Sequence, residues 1–378
     1  MYVRLLVLIF LVLALGSRPS IAQGRFNFSD STKISLLTCS PGDELYSTFG
    51  HSAVRVNDPL SGIDAVFNWG IFDFNTPNFY WKFMTGKLLY QMGGQNWASF
   101  LEEYKMIQRS VVETPIHLPL EAKRKLLVTI EDNYLPENRK YKYDFFFDNC
   151  ATRIRDVVER ALPIQYVDTA RTIKPLRRLL DEYLSNMPWS DFGIDLILGL
   201  PTDQVGTFRY EMFLPDYLGK NLPHARYRGQ AITGPEVEIL AATPLPPFKG
   251  PSPLLVMSIV MLAWVTLGFL KLPKLVRILD RLFFILIGFA GCLMLFLWFG
   301  TDHLATKDNL NVLWANPFYF FALGSLKGKR KVWLWIVGGM CLFTLVFFPF
   351  SPQLLHPAII PILIAVAIRS FKIARFGV

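Results

Sequence analysis

Apolar residues of this chain gather in two blocks, one at the N-terminus and one beyond Pro251, with ordinary globular patterning between them. In the first block Arg4 precedes an apolar run from Leu5 to Gly16, and Ser20-Ile21-Ala22 offers small residues ahead of Gln23. This order predicts a cleaved export signal over residues 1–22; an uncleaved anchor is the competing reading. Either one carries the following segment out of the cytoplasm.

The second block holds five candidate spans, near 252–270, 282–300, 311–326, 332–350 and 354–370. The third is short and contains Pro317, which suits a partly re-entrant segment as well as a full crossing. Basic residues fall between spans in three clusters: Lys271/Lys274/Arg277/Arg281, Lys327/Lys329/Arg330/Lys331 and Arg369/Lys372/Arg375. If residues 24–245 form a domain outside, all three clusters lie inside. The outer loops Thr301–Leu310 and Ser351–His356 carry little positive charge, as the positive-inside rule requires.

Between the blocks, alternation predicts strands over Lys33–Cys39, His51–Asn57, Ala65–Trp69, Leu88–Met92 and Ser110–Ile116. A short helical turn is expected before Phe49. Helices are expected over Pro77–Thr85, Asn96–Ile107, Leu118 to about Asn133, and Ala151–Leu162, with mostly helix from Ile173 to about Leu218. A Pro-rich linker, Thr243-Pro244-Leu245-Pro246-Pro247, closes the domain. The fold class is therefore α+β, followed by an all-α bundle of about five transmembrane helices over 251–378.

Composition agrees. Charged residues make up 18% of the chain, below the ~25% of a soluble domain. The net charge of +9 would suit nucleic acid, but much of the excess sits in tracts flanking apolar segments, so nucleic-acid binding is not the reading. The four cysteines form no CxxC pair and have no His cluster near them, so neither a metal site nor a cofactor is expected. Cys292 and Cys341 lie in apolar runs and read as small hydrophobes.

Cys150 stands apart. The helix after it carries Ile154, Val157, Val158 and Ala161 on one face, and Asp148 or Asn149 is its natural N-cap. A thiol in the first helical turn meets unpaired N–H groups and partial positive charge, which favour thiolate. His51, at the start of a strand, is the candidate base. Asn68, in the neighbouring strand, is the candidate that orients its ring, with Asp73 a weaker alternative. His117 and His224 read as surface residues. Two plainer readings of Cys150 stay open here: a disulfide with Cys39 in an oxidising compartment, or an inert buried thiol.

Several strings resemble the Lnb family: Thr38-Cys39-Ser40-Pro41-Gly42-Asp43-Glu44-Leu45-Tyr46, then Phe49-Gly50-His51-Ser52-Ala53-Val54-Arg55-Val56, Phe67-Asn68-Trp69-Gly70-Ile71-Phe72-Asp73-Phe74, and Phe147-Asp148-Asn149-Cys150-Ala151-Thr152-Arg153. Thr301-Asp302-His303 and Asn309-Leu310-Asn311-Val312-Leu313-Trp314-Ala315-Asn316-Pro317 resemble the membrane part of the same proteins. Trp69 stands where many relatives have Tyr. The resemblance implies a circularly permuted papain-like periplasmic domain in the bacterial inner membrane. It implies an apolipoprotein N-acyltransferase, in which Cys150 takes an acyl chain from a phospholipid as a thioester. The chain then passes to the α-amino group of a diacylated lipoprotein's N-terminal cysteine. Catalytic residues would be Cys150, His51 and Asn68; candidate substrate contacts are Asp302, His303, Arg55, Asp73, Asn149, Arg153, Trp314 and Asn316. Alternatives are a periplasmic cysteine hydrolase with the same dyad and a non-catalytic scaffold that handles lipoproteins.

Overall fold

The computed structural model describes residues 26–169, 173–270, 272–326 and 331–377; the export signal expected over 1–22 lies outside them. All five predicted strands form and join one antiparallel sheet. It contains β1 (Lys33–Cys39), β2 (His51–Asp58), β3 (Ile63–Ile71), β4 (Leu89–Asn96), β5 (Val111–Ile116), β6 (Lys140–Lys142) and the later β10 (Val237–Leu240). The spatial order is β10-β5-β1-β2-β3-β4-β6. β7 (Ile164–Tyr166), β8 (Ala225–Tyr227) and β9 (Gln230–Ala231) make a small separate sheet. The last five strands are two to four residues long, too short for alternation to announce them.

Period-two alternation gives the large sheet two apolar faces. On one, Leu37, Cys39, Ala53 and Val66 pack with Phe100 and Tyr104. Those two belong to α2 (Trp97–Met106), which follows the six-residue α1 (Phe79–Met84). On the other, Leu36, Val54, Val56, Phe67 and Trp69 pack with Leu126, Ile130, Ile154, Val157 and Val158. These come from α3 (Leu120–Tyr134) and α4 (Cys150–Ala161). Each such side chain, fully buried, contributes about 1.5–3 kcal/mol. The segment before Phe49 is a run of turns rather than the expected helical turn; Gly42 N–H donates to the Ser47 carbonyl at 3.0 Å and closes it.

Four further helices, α5 (Leu176–Leu184), α6 (Pro188–Ile197), α7 (Phe208–Glu211) and α8 (Pro215–Asn221), complete this half. The membrane half contains α9 (Pro253–Leu267), α10 (Pro273–Phe299), α11 (Phe318–Ser325), α12 (Val332–Phe347) and α13 (Ile359–Phe376). Two of its helical stretches, Pro273–Phe299 and Val332–Phe350, are long and apolar enough to cross a membrane by length and composition.

The predicted spans need three corrections. The third, 311–326, is not one helix: a 3-10 turn at Leu310–Leu313 and the eight-residue α11 are separated by Asn316-Pro317. At ~1.5 Å per residue α11 is about 12 Å long, far short of a ~30 Å hydrocarbon core. The second begins at Pro273, a residue suited to a helix start, so Lys274, Arg277 and Arg281 lie within α10 and not in a loop. The third correction concerns Arg369, expected among cytoplasmic charges. Its side chain is fully buried and forks onto Asp280 of α10 at 3.0 and 2.7 Å, while Trp264 Nε1 donates to the same carboxylate at 3.0 Å.

The two halves are sewn together at α6 and the loop after α10. Gly199 N–H donates to the Ala305 carbonyl at 2.8 Å, and Asn309, Asn311 and Gln353 donate to the carbonyls of Leu196, Asp195 and Leu198. A Cβ at Gly199 would collide with the Lys307 carbonyl, so only glycine allows this approach.

Candidate active site

Cys150 opens α4. Asn149 is the N-cap: its Oδ1 accepts from the N–H groups of Ala151 and Thr152, both at 2.9 Å, and Thr152 Oγ1 accepts from Asn149 N–H at 2.7 Å. Asn149 Nδ2 donates to the carbonyls of Phe145 and Phe213 at 2.7 and 2.8 Å. The cap thus fixes the start of α4, and with it the sulfur, against two flanking loops.

His51 begins β2 directly after Gly50. That residue has φ +79°, and a Cβ there would sit 2.8 Å from the Cys39 carbonyl oxygen. Glycine is therefore required to turn the chain into the strand. Pairing of β2 with β3 stops at Ala53 opposite Asn68, and the β3–β4 register shifts between Asn68 and Ile71. Ser52 lies beyond the last pair, and its N–H reaches the Cys150 sulfur.

The Cys150 thiol and the His51 ring lie close enough to act on each other electrostatically, and Asn68 Oδ1 lies 3.0 Å from His51 Nε2. Because an amide oxygen only accepts, the network puts a proton on Nε2 and leaves Nδ1 for sulfur. Burial alone would raise the Cys150 pKa. The adjacent His51 charge, its hydrogen bond and the N–H groups of Ser52 and Ala151 outweigh burial and hold the thiol below its ordinary value. Burial alone would likewise lower His51; the facing sulfur and the Asn68 oxygen outweigh it, and His51 is raised. Opposite shifts of this kind favour a thiolate facing an imidazolium.

Cys39 differs in every respect. It is a free, fully buried thiol pushed up to about 12 by burial, and Cys150 is free as well. The disulfide reading therefore has no support in the structure.

The couple lines a cavity of about 890 Å³, near the upper end of the ~300–1,000 Å³ typical of ligand sites. Much of its wall is apolar, including Phe83, Phe145, Phe146, Leu180 and Leu198. Leu297, His303, Ala305 and Thr306 of the membrane half complete it. A second lining group, Gln95, Glu103, Tyr104 and Arg109, is polar and was missed in the sequence, where Glu103 and Tyr104 were visible only as part of a helix.

With this geometry established, two family models match: Lnb N-terminal periplasmic domain over residues 23–182 and Lnb transmembrane domain over 247–376. The chain belongs to the Lnb family. No curated protein and no solved structure matches it. Membership makes it a membrane protein with a periplasmic N-terminal domain.

Within this Lnb chain, the expected substrate contacts separate. His303 lines the cavity and its Nε2 lies 3.3 Å from the Phe83 carbonyl. Asp302 does not line it. Its carboxylate pairs with Lys142 at 2.9 Å and its N–H donates to the Thr85 carbonyl, so it clips the membrane half to the turn after α1. Asp73 is a turn residue, accepting from Asn75, and Asn68 occupies the orienting position instead.

Arg55, a candidate substrate contact, is instead held by Asp64 and Glu113 at 2.8 and 3.0 Å and stacks on Trp97. Arg153 forks onto Asp148 and lies over Tyr141, and Arg155 is buried against Asp156 and the Arg209 carbonyl. Trp314 donates to Asn311 at 2.9 Å and Asn316 Oδ1 accepts from Phe318 N–H at 3.1 Å; both are buried and outside the cavity lining. Asn149 is consumed by its cap. The expected surface His117 is exposed, while His224 is half-buried beside Asp168.

Among the described residues one acidic group, Asp181, Asp191 and Asp195, brings carboxylate oxygens within 4.8 Å of one another. None of the three lines the cavity, and Asp195 is paired with Arg177 at 2.8 Å.

Proposed function

We propose that this protein is an apolipoprotein N-acyltransferase using Cys150 as nucleophile, His51 as acid–base and Asn68 to orient the ring. The carrying observation is the cavity. Cys150 lines it, and its apolar wall includes Leu297 and Ala305 of the membrane half, which suits a lipid ester as the group that meets the sulfur.

The steps balance without a metal or organic cofactor. Cys150 thiolate adds to a phospholipid ester carbonyl; the C–O bond breaks, the thioester forms, and His51 gives its proton to the departing lysophospholipid alkoxide. The lipoprotein α-amine then adds to the thioester, losing its proton to His51. The C–S bond breaks, an amide forms, and the thiolate–imidazolium couple returns. The N–H of Ser52, beside the sulfur, is the local donor suited to the developing oxyanion, because the Ala151 N–H is already engaged by Asn149 Oδ1. The apolar wall keeps water from competing with the amine. The resemblance to permuted papain-like enzymes, with a strand histidine ahead of a helix cysteine, supports the same reading.

The test is mass spectrometry of lipoprotein N-terminal peptides from cells depleted of this protein and complemented with wild type or Cys150→Ala. An N-linked third acyl chain restored by wild type alone is the expected result. Identical peptides in all strains would remove the assignment and favour a hydrolase using water as acceptor.

A further inference from the structure

Arg109, between α2 and β5, is only 8% exposed and lines the cavity. Its Nε donates to the Ser40 carbonyl at 2.6 Å, and its guanidinium lies 5.2 Å from the Tyr104 ring centroid. Nη2 is buried and has no acceptor among the described residues. The carboxylate sharing this end of the cavity, Glu103, accepts from Gln95 at 3.3 Å and forms no ion pair with it. A guanidinium stays charged at any physiological pH, so a buried N–H without an acceptor is costly unless a ligand supplies one.

The position matters as much as the vacancy for an acceptor. Arg109 is close enough for its charge to oppose protonation of His51. An anion held there shares the cavity with the His51–Cys150 pair, and much of the rest of the wall is apolar. A glycerophospholipid has that arrangement: its phosphodiester lies a few bonds from the ester carbonyls, and its chains run the other way.

We propose that Arg109 is the anion anchor of this cavity, taking a phosphodiester oxygen of the acyl donor on Nη2 so that the ester carbonyl falls at Cys150. Guanidinium–phosphate hydrogen bonds are among the stronger charge-assisted contacts and fix orientation as well as affinity. The anchor rests on the acyl-transfer reading for the identity of the anion, and it makes the headgroup phosphate a requirement for the donor.

The experiment uses the full chain in detergent and a diether glycerophospholipid, which has no ester to cleave, beside the neutral diether glycerol. Alkylation of Cys150 by iodoacetamide, read by peptide mass spectrometry, reports occupancy of the cavity. The diether phospholipid should protect wild type, with half-protection shifted to about tenfold higher concentration in Arg109→Gln and less in Arg109→Lys. Protection by the neutral diether should be the same in all three.

Unchanged protection by the phospholipid in Arg109→Gln overturns the anchor. Equal loss for both lipids also overturns it, because Arg109 would then only shape the cavity. If inorganic phosphate alone protects wild type at the same concentration as the phospholipid, the anion is free phosphate and the donor assignment fails. Protection requires no chemistry. Failure of the acyl-transfer reading would instead appear as the absence of an acyl-enzyme when an ordinary ester phospholipid is supplied to wild type.

Discussion

Asn68 Oδ1 lies 3.0 Å from His51 Nε2, across the end of the β2–β3 ladder where pairing has just ceased. The contact assigns each ring nitrogen a task, one to accept orientation from the amide and one to face sulfur. Removing the ring should cost most. His51→Gln is expected to slow acyl-enzyme formation by roughly 10²–10⁴-fold, the usual share of acid–base catalysis. Asn68→Ala should cost less than His51→Gln because the base remains but is no longer held. Intact-protein mass spectrometry of the thioester over time checks both, and an Asn68→Ala loss as large as that of His51→Gln would contradict the division of labour.

The opposed shifts of Cys150 and His51 predict a pH profile. The thiol is held low and the imidazole high, so the reactive couple exists above the Cys150 value and below the His51 value. Cys150 alkylation should therefore persist well below pH ~8.5, where an ordinary thiol loses reactivity. In His51→Gln the curve should move upward, since the largest effect opposing burial is then gone. The stability linkage has the same signs. The lowered thiol adds stability that is lost as pH falls through its folded value, and the raised imidazole adds stability that is lost as pH rises through its own.

Asn149 offers a test of positioning. Asn149→Ala removes the acceptor for two helix N–H groups and the donor to Phe145 and Phe213. A loss of about 1–2 kcal/mol in stability is expected from the cap alone. Thermal unfolding measures that loss. Alkylation of Cys150 should also slow in the folded fraction, which a purely structural role elsewhere in the domain would not cause.

The Asp280–Arg369 pair predicts a cycle. Asp280→Asn leaves a buried guanidinium facing a neutral amide, and Arg369→Met leaves a buried carboxylate; breaking such a pair typically costs about 3–5 kcal/mol. The double variant should recover much of the stability lost by either single change. Unfolding in detergent, followed by cysteine accessibility, compares the three, and additive losses would show that the two side chains do not act on each other.

Gly199→Ala should loosen the seam between the halves, because the new methyl collides with the Lys307 carbonyl. Limited proteolysis near residues 199–203 should accelerate and acyl-enzyme formation should fall, even though residue 199 does not touch the sulfur.

How much of this was legible in the sequence depended on the range of the signal. Strands such as β1 and β2 were visible as short apolar, β-branched runs bounded by turn residues, and the helix behind Cys150 because one buried face imposes a local period. So was Asn68, which alternation placed on the strand beside His51. The very short strands had no period to show. Arg55, Arg153, Trp314 and Asn316 were misread because a polar side chain in a distinctive string looks the same whether its partner is substrate or protein. Their partners Asp64, Asp148 and Asn311 became evident only in three dimensions. Arg369 was misread for a related reason: 89 positions separate it from Asp280, so no local pattern could distinguish a buried partner from a cytoplasmic charge. Arg109 failed in the opposite direction, being an unremarked residue whose unmet N–H appears only once the cavity exists.

That same separation has a consequence for how the protein is made. α10 leaves the ribosome long before α13, so Asp280 enters the bilayer with its counter-charge not yet synthesised. Until the last helix arrives, the nascent chain carries an uncompensated carboxylate. A chain cut short before residue 369 would keep it permanently. The membrane half therefore reaches its balanced charge only when its last helix has packed.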